Sequence, residues 1–390
     1  MKLAFVVHRY GVEVAGGSEL HCRWHAERLA RTHAVEVFTT QALGYVEWEH
    51  GYPAGTAQVN GIPVHRFPVE RRRDPVAFDA VSRRAFGMPH AREDEEAWVL
   101  ANGPLSPALV EAVAEARDRF DLFIFYSYRY YPTYYGLPRV AERAVLVPTA
   151  EEDPAIKLQI FHEFFRRPRG IIYLTDEEQT LVEAASGGTG AASAVIGSGL
   201  DLPEQEGAPD VLSRFDLSRP FLLYLGRIDR DKGCRSLFTY FQHFVAATGA
   251  DVDLVLAGKA AMDIPAHPRI RHVGFVSEPE KVALLRASRA LVMPSRYESL
   301  SIVMLEAWKL GVPVIANARC RVLLGQCRRS GGGLTYDGHE EFAEVLLLLL
   351  ERPALGDALG RQGREYVERE YAWERVLGKL EGVFERVLSP

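Results

Sequence analysis

The sequence predicts an α/β protein of two domains, each a mostly parallel sheet covered by helices. Three observations carry this. The 390 residues exceed what one ordinary core holds. Short β-rich runs alternate with amphipathic helical runs, the grammar of parallel β/α units. That grammar loosens and then restarts across residues 185–210, a stretch rich in Gly, Ala, Ser and Pro.

In the first half, KLAFVVH (2–8) opens the series, followed by the loop RYGVEVAGG and an amphipathic helix from Ser18 to about Arg31. AVEVFTT (34–40), PVHRFPV (63–69), DLFIFYS (121–127), AVLVPTA (144–150) and GIIYLT (170–175) follow as strands, with helical stretches such as PALVEAVAEARDRF (107–120) between several of them. The second half restarts with PFLLYLGRIDRDKG (220–233) and continues through VDLVLAG, IRHVGFV, RALVMPS and PVIANA. The last segment, YAWERVLGKLEGVFERVL (371–388), reads as one amphipathic helix that crosses back to brace the first domain. The expected domains are 1–195, joined by the C-terminal helix at about 372–390, and 196–371. Two Rossmann-like β/α/β domains are expected to face one another across a cleft. Ligands of such sheets sit outside the carboxyl ends of the strands.

Bulk properties exclude several classes. Hydrophobic residues make up 47% and charged residues 25%, as in soluble globular proteins. A formal net charge of -6 argues against nucleic-acid binding. Cys22, Cys234, Cys320 and Cys327 have no C-x-x-C spacing, so they read as buried thiols of a reducing compartment. The N-terminus MKLAFVVHRY lacks a cleavage site and reads as a first strand, not a signal peptide. VLLLLL (345–350) is too short to cross a bilayer. A cytoplasmic protein is expected, with peripheral contact to the inner face of a membrane left open.

Two motifs carry chemistry. In YLGRIDRDKG, Gly226 permits a tight turn after the strand, with Arg227 next and Lys232 five residues later. A forked donor and a point charge at a strand end suit a diphosphate. The other reading is an ordinary surface loop in which Asp229 and Asp231 pair with the two cations. In PSRYESLSIVMLEAWKLGVPVIA, a strand ends at Pro294 and a helix begins near Ser301. Backbone N–H groups at such a start attract phosphate. Glu298 lies in the loop, and Glu306 lies about 7–8 Å further along the helix axis. Glu306 would face solvent on an ordinary amphipathic helix. Ile302, Val303, Leu305, Ala307, Trp308 and Leu310 surround it, however, and a buried carboxylate needs a partner such as vicinal hydroxyls.

The pair Glu298 and Glu306, after a proline-ended strand and preceded by Leu225-Gly226-Arg227 and Lys232, resembles the retaining glycosyltransferases of family 4. These are glycogen-synthase-like enzymes, also called glycosyl transferases group 1, with the two-domain GT-B fold. AGGSE in the first loop, Thr175-Asp176-Glu177 and GVPVIA after the signature helix extend the likeness over most of the chain. The resemblance implies that Arg227 and Lys232 neutralise the donor diphosphate and that Glu306 binds the ribose. It implies that Glu298 contacts the transferred sugar and that the backbone of Ser299, Leu300 and Ser301 touches the phosphates. Gly16 and Gly17 would let the first loop approach the diphosphate, and they also suit a turn before a Ser18 N-cap. The base is expected near Gly258, Lys259, Gly274, Phe275 and Val276.

One departure stands out. Relatives carry a histidine after the strand that here reads AVLVPTA, and in this chain Glu151 takes that place, followed by Glu152, Asp153 and Pro154. A carboxylate there can accept a sugar hydroxyl, support an oxocarbenium-like transition state or orient the acceptor. Glu152 and Asp153 equally suit capping of the next helix, with Pro154 at its first position. On the acceptor side, the tyrosines of FYSYRYYPTYYGLPR (125–139), Tyr128 among them, suit a sugar-stacking wall or core packing. Arg129 and Glu152 join Tyr128 as acceptor candidates. RRR (71–73) and FFRRPRG (164–170) suit solvated surface, anionic lipid or a phosphorylated acceptor. His8 follows the first strand, and a lone His is more often structural.

No metal and no cofactor are expected, because the cationic pair stands in for a metal. Asp251-Val252-Asp253 precedes its strand, so it reads as a strand start. The expected activity is metal-independent hexose transfer, with retention, from a nucleoside diphosphate sugar to a hydroxyl acceptor. A UDP-sugar is favoured over a GDP-sugar, and the acceptor is a sugar, a lipid-linked glycan or a small molecule. The alternatives are a catalytically silent nucleotide-sugar-binding protein and, far behind, a dinucleotide oxidoreductase, which would need a tight G-x-G-x-x-G after the first strand.

Overall fold

The structure, a computed structural model, describes residues 1–14, 16–202 and 210–389. Ala15 of the AGGSE loop and residues 203–209 of the loose stretch lie outside the described residues. The chain divides into two compact units, Met1–Gly199 with Glu374–Pro390, and Leu200–Trp373.

The first unit is built on an eight-stranded sheet. Its strands are β1 Lys2–Val6, β2 Ala34–Thr40, β3 Gly55–Val59, β4 Ile62–Phe67, β5 Leu122–Tyr126, β6 Ala144–Val147, β7 Gly170–Tyr173 and β8 Ala192–Val195. Their order is β3-β4-β2-β1-β5-β6-β7-β8, so the chain winds outward from β1 in one direction and from β5 in the other. The switch point lies between β1 and β5, and all pairings are parallel except β3 with β4.

The second unit has six parallel strands: β9 Phe221–Leu225, β10 Asp253–Ala257, β11 Ile270–Gly274, β12 Ala290–Met293, β13 Val314–Asn317 and β14 Gly333–Tyr336. Their order, β11-β10-β9-β12-β13-β14, puts the switch point between β9 and β12. Each unit is thus the Rossmann-like α/β unit that the sequence predicts. Central strands such as LFIFY of β5 and FLLYL of β9 are buried at every residue, because helices cover both sheet faces.

The C-terminal helix, Trp373–Leu388, buries Val376, Leu380, Val383, Phe384 and Val387, a stripe at helical spacing. It covers the β7–β8 side of the first sheet. A Cβ on Gly170 of β7 would lie 2.7 Å from Val387, and Lys379 and Arg386 donate to the carbonyls of Val195 and Ser193 on β8.

Three strands escape the sequence reading: β3, β8 and β14, whereas β4 is the strand read as PVHRFPV. β3 and β4 form a hairpin through Asn60 and Gly61, both at positive φ, the pairing that a two-residue hairpin turn wants. β8 lies inside the stretch read as loose, because Ala-Ser-Ala-Val offers little apolar signal. β14 hides in a glycine run, where a Cβ on Gly333 would lie 2.4 Å from the Val314 carbonyl of the neighbouring strand. The first helix is Gly17–Leu29 with Gly16 as its N-cap, so Ser18 is inside the helix and not its cap.

Candidate functional site

The site in the second unit lies at its switch point. β9 ends at Leu225 and the chain turns through Gly226, whose φ of +143° a side chain would strain. The turn carries Arg227, Asp229 and Lys232 into helix Cys234–Thr248. Gly233 caps that helix at φ +76°, and a Cβ there would lie 2.2 Å from the Pro294 carbonyl at the end of β12. This close approach brings the two loops together. Lys232 Nζ lies 2.8 Å from Glu298 Oε1, with the carboxylate side chain 12% exposed and the lysine 33%.

Asp229 organises the first loop. It pairs with Arg227 Nε through one oxygen and accepts the Lys232 backbone N–H at 2.7 Å with the other. Tyr224 donates to the Arg227 carbonyl at 2.7 Å. Arg227 thus pairs with Asp229, while Lys232 meets Glu298 across the loops after β9 and β12.

The loop after β12 is braced from behind. Asn317 donates to the Pro294 carbonyl, Gln326 donates to the Leu300 carbonyl, and Tyr371 donates to Gln326. Ser299 and Leu300 lead into Ser301, which sits at φ +66° as N-cap of helix Ile302–Lys309. That helix start presents N–H groups that an intrahelical ladder leaves over. Leu300 and Ser301 are buried, so their backbone is what this segment offers.

Glu306, two turns into the loop-helix segment, is 1% exposed. Its partner is Lys281 of helix Glu278–Ala287, at 2.7 Å from Oε1, and Lys281 also reaches exposed Glu278 at 2.7 Å. Glu306 Oε2 is buried without a hydrogen-bond partner. Burial raises the Glu306 pKa from its ordinary value while Lys281 opposes the shift. The lysine's own pKa is raised, because its two carboxylates outweigh its burial.

The loops after β10 and β11 pack against that after β9. Gly258 has φ +142°, and a Cβ there would lie 2.0 Å from the Gly226 carbonyl. Gly258 N–H donates to Gly274, and Ile228 N–H donates to Lys259. Beyond Gly274, Phe275 is 80% exposed and Val276 half-buried, so an aromatic face projects from this edge.

Asp251 and Asp253 pair with Arg219 and Arg269 at the start of β10. Among the described residues no group of three His, Cys, Asp or Glu is placed to hold a metal ion. None of the described helices is long and apolar enough to cross a membrane.

The first-unit candidates lie at carboxyl ends of its strands. Gly16 is extended, and a Cβ there would lie 2.3 Å from Glu19 Oε2, whereas a Cβ on Gly17 meets nothing within 4 Å. Glu19 is buried and accepts from His8 Nε2 at 2.9 Å, Arg9 Nε at 3.0 Å and Ser18 Oγ at 2.7 Å. Burial works against its charge, but His8 and Arg9 outweigh it and hold the carboxyl below its ordinary value. The His8 ring lies 3.9 Å from that of Tyr130, which brings the ends of β1 and β5 together at the switch point.

Arg129 pairs with Asp153 at 2.6 Å and lies 3.8 Å from Glu151. Asp153 also caps the short helix Pro154–Lys157 by accepting the Ala155 N–H, as its position before proline predicts. Glu152 is exposed beside them. Tyr128 is a correction: it is fully buried, with its ring against Phe161 and Phe165, so core packing claims it and it offers no acceptor wall. In Thr175-Asp176-Glu177-Glu178 it is Glu178 that turns inward, to Ala150 and Leu174.

Sequence reasoning missed Lys281, Gly233, Asp229 as organiser, and Glu178. Gly233, directly after Lys232, and Asp229, between the two cations, left a local signal. Asp229 acts locally, on residues two and three positions away, whereas Lys281 and Glu178 act through contacts 25 and 28 positions apart.

The sequence profile of the family described as glycosyl transferases group 1 matches residues 212–366. A GDP-mannose-dependent monoacylated alpha-(1-6)-phosphatidylinositol monomannoside mannosyltransferase of Corynebacterium glutamicum is 27% identical over 210 residues, 47% of this chain and 51% of that protein. The 2-deoxystreptamine glucosyltransferase of Streptomyces kanamyceticus is 28% identical over 245 residues, 57% of this chain and 62% of that one. The chain thus spans about half to three-fifths of the length of these curated relatives. Among solved structures, Anabaena HepE in complex with UDP and glucose superposes with a TM-score of 0.70 at 16% identity, covering 99% of each chain. Residues 212–366 thus carry the sequence pattern of glycosyl transferases group 1, and the two Rossmann-like units have the GT-B fold of the solved neighbours.

Proposed function

We propose that the protein is a retaining, metal-independent glycosyltransferase that moves a hexose from a nucleoside diphosphate sugar to a hydroxyl acceptor in glycan or glycoconjugate biosynthesis. The observation that carries this is the meeting of Lys232, Arg227 and Glu298 at the second unit's switch point, beside the start of helix Ile302–Lys309. Two cations and a helix N-terminus compensate a diphosphate leaving group where its charge develops, the task a divalent ion performs elsewhere. Glu298, which pairs with Lys232 before the donor enters, accepts a hydrogen bond from a hydroxyl of the transferred sugar. Glu306 keeps one oxygen on Lys281 and offers Oε2 to the ribose. The exposed face of Phe275, with Val276, Gly258 and Lys259, suits a nucleobase.

The first unit takes the acceptor, which is a sugar, a lipid-linked glycan or a small molecule. Glu151 and Arg129 contact its hydroxyls. A UDP-sugar is favoured, supported by HepE with its UDP and glucose, although the corynebacterial relative is named for GDP-mannose.

The test is calorimetric titration with UDP and with GDP in the presence of a chelator, followed by donor hydrolysis on the base that binds. Metal-free binding with slow hydrolysis of one sugar nucleotide is expected. Binding without hydrolysis or transfer from any common donor supports a silent nucleotide-sugar-binding protein. Loss of binding on chelation overturns metal independence, and no binding of either nucleotide overturns the reading.

A further inference from the structure

The chain places a carboxylate, Glu178, where nothing in the reaction uses it. Its side chain is 0% exposed. Among the described residues no cation pairs with it. Each oxygen takes one backbone donor: Oε1 accepts the Ala150 N–H at 2.6 Å, and Oε2 accepts the Leu174 N–H at 2.6 Å.

This is not helix capping. Helix Asp176–Ser186 is already capped by Thr175, whose hydroxyl accepts the Glu178 N–H at 3.2 Å. Glu178 is the third helical residue, where a glutamate ordinarily returns to the N-cap N–H. Here it reaches past the cap, to the end of β7 and across to the loop after β6. One amide donor on each oxygen favours the ionised form. Burial opposes that form and pushes the pKa up to about 8, with the two amide bonds pulling back. A carboxyl buried without a cation costs stability.

What it fixes is the Thr149–Ala150 peptide, one residue before Glu151. Thr149 sits at φ +49°, and Ser127 at the end of β5 sits at φ +63°. Their hydroxyls lie 2.8 Å apart. Two non-glycine residues in the left-handed region on neighbouring strand ends mark loops held in one shape by their surroundings.

We propose that Glu178 is a positioning residue for Glu151, fixing the loop after β6 through the Ala150 amide so that the Glu151 carboxylate is presented in a single orientation. This rests on the reading that Glu151 takes part in transfer. Glu178 acts through the backbone and touches no substrate.

The experiment is a double-mutant cycle of Glu178→Gln and Glu151→Gln, read as kcat for hydrolysis of UDP-glucose, or of GDP-mannose if GDP is the nucleotide bound. Nucleotide affinity is measured alongside. Each single variant should lower kcat by about 10-fold to 100-fold, the scale of a small misplacement at a reaction centre. Nucleotide Kd should stay within about twofold, because the second unit is untouched. The double variant should be no slower than Glu151→Gln alone, which a merely structural role would not produce.

Additive losses overturn the proposal and leave the function of Glu151 standing. Wild-type turnover in Glu151→Gln overturns the reading of Glu151 and the proposal with it. Amide exchange on the wild-type protein needs no folded variant: the Ala150 N–H should be protected like the strand amides of β6, and fast exchange overturns the clamp.

Discussion

Replacing Lys281 by methionine should destabilise the second unit severely, and removing Glu306 as well should rescue it. Lys281 Nζ lies 2.7 Å from Glu306, whose side chain is 2% exposed, and 2.7 Å from Glu278, whose side chain is 65% exposed. The two contacts are unequal. The exposed one is solvated and contributes less than about 1 kcal/mol. The buried one leaves an uncompensated carboxylate when the lysine goes, at a cost of about 3–5 kcal/mol. With a denaturant slope of about 2 kcal/mol per molar urea, the midpoint should fall by about 1.5–2.5 M, read by tryptophan fluorescence.

Exchanging Glu306 for leucine in the same chain removes the stranded charge and should recover most of that loss. pH supplies a second check. Without Lys281 the carboxyl's folded pKa rises further above its unfolded value. Its contribution to stability is then present at low pH and lost as pH rises, so the deficit should shrink on acidification from pH 8 to pH 5. A midpoint change under about 0.5 M for Lys281→Met, or a double variant as damaged as the single one, would refute the reasoning.

Other outcomes follow from the same geometry. Glu298→Gln should cut turnover by about 10²-fold or more while leaving nucleotide Kd within a few-fold, checked by steady-state kinetics and calorimetry. Equal small effects of Glu298→Gln and Glu306→Gln would contradict the division of roles between them. In the first unit, burial lowers the His21 pKa from 6.5 to about 4 against the pull of the Gly197 carbonyl, and lowers His25 as well. Their folded pKa values lie below the unfolded value, so this stability is present above pH 6.5 and lost as pH falls. The His21 share is about 3 kcal/mol in full and about 2 kcal/mol of that by pH 5. His21→Gln should flatten the acid limb of thermal unfolding between pH 7 and pH 5. Gly360→Ala should lower the melting temperature, because its Cβ would lie 1.9 Å from the Gly311 carbonyl and helix propensity returns only about 1 kcal/mol.

The fold class is legible because both sheets announce themselves twice, in buried β-rich runs and in the turns that follow them. β9 and β12 read clearly, since FLLYL and ALVM are apolar throughout and end on Gly226 and Pro294. β8 and β14 do not, since small residues pack under a helix or against a neighbouring strand without any apolar signature. The loop residues of the donor side are legible for a related reason. Arg227, Lys232 and Glu298 sit directly after strands, where position alone implies a ligand.

Second partners are not legible. Lys281 meets Glu306 across 25 positions and Glu178 meets Ala150 across 28, and no local pattern encodes either contact. Tyr128 misled for the opposite reason. A run of tyrosines after a strand carries the same letters whether the rings face sugar or, as here, Phe161 and Phe165.

The donor side raises a point about how cations are kept ready. Arg227 and Lys232, the proposed diphosphate ligands, are each held on a carboxylate of the same unit, Asp229 and Glu298. Such pairs aim flexible side chains, but they also offset the field that would draw in an anion. On the proposed roles, diphosphate binding would therefore be an exchange of partners. Lys232 would give up Glu298 for phosphate, and the released carboxylate would accept a hydrogen bond from a sugar hydroxyl beside the breaking bond. A nucleoside monophosphate, lacking the second phosphate, cannot drive that exchange as far. The nucleotide preference should then reside in Lys232. In Lys232→Met, the calorimetric ratio of UDP to UMP affinity should collapse toward one, or the GDP to GMP ratio if GDP is the nucleotide bound. In Glu298→Gln it should rise, because the lysine no longer has a carboxylate to leave. An unchanged ratio in Glu298→Gln would mean that the ion pair is a resting contact with no part in binding.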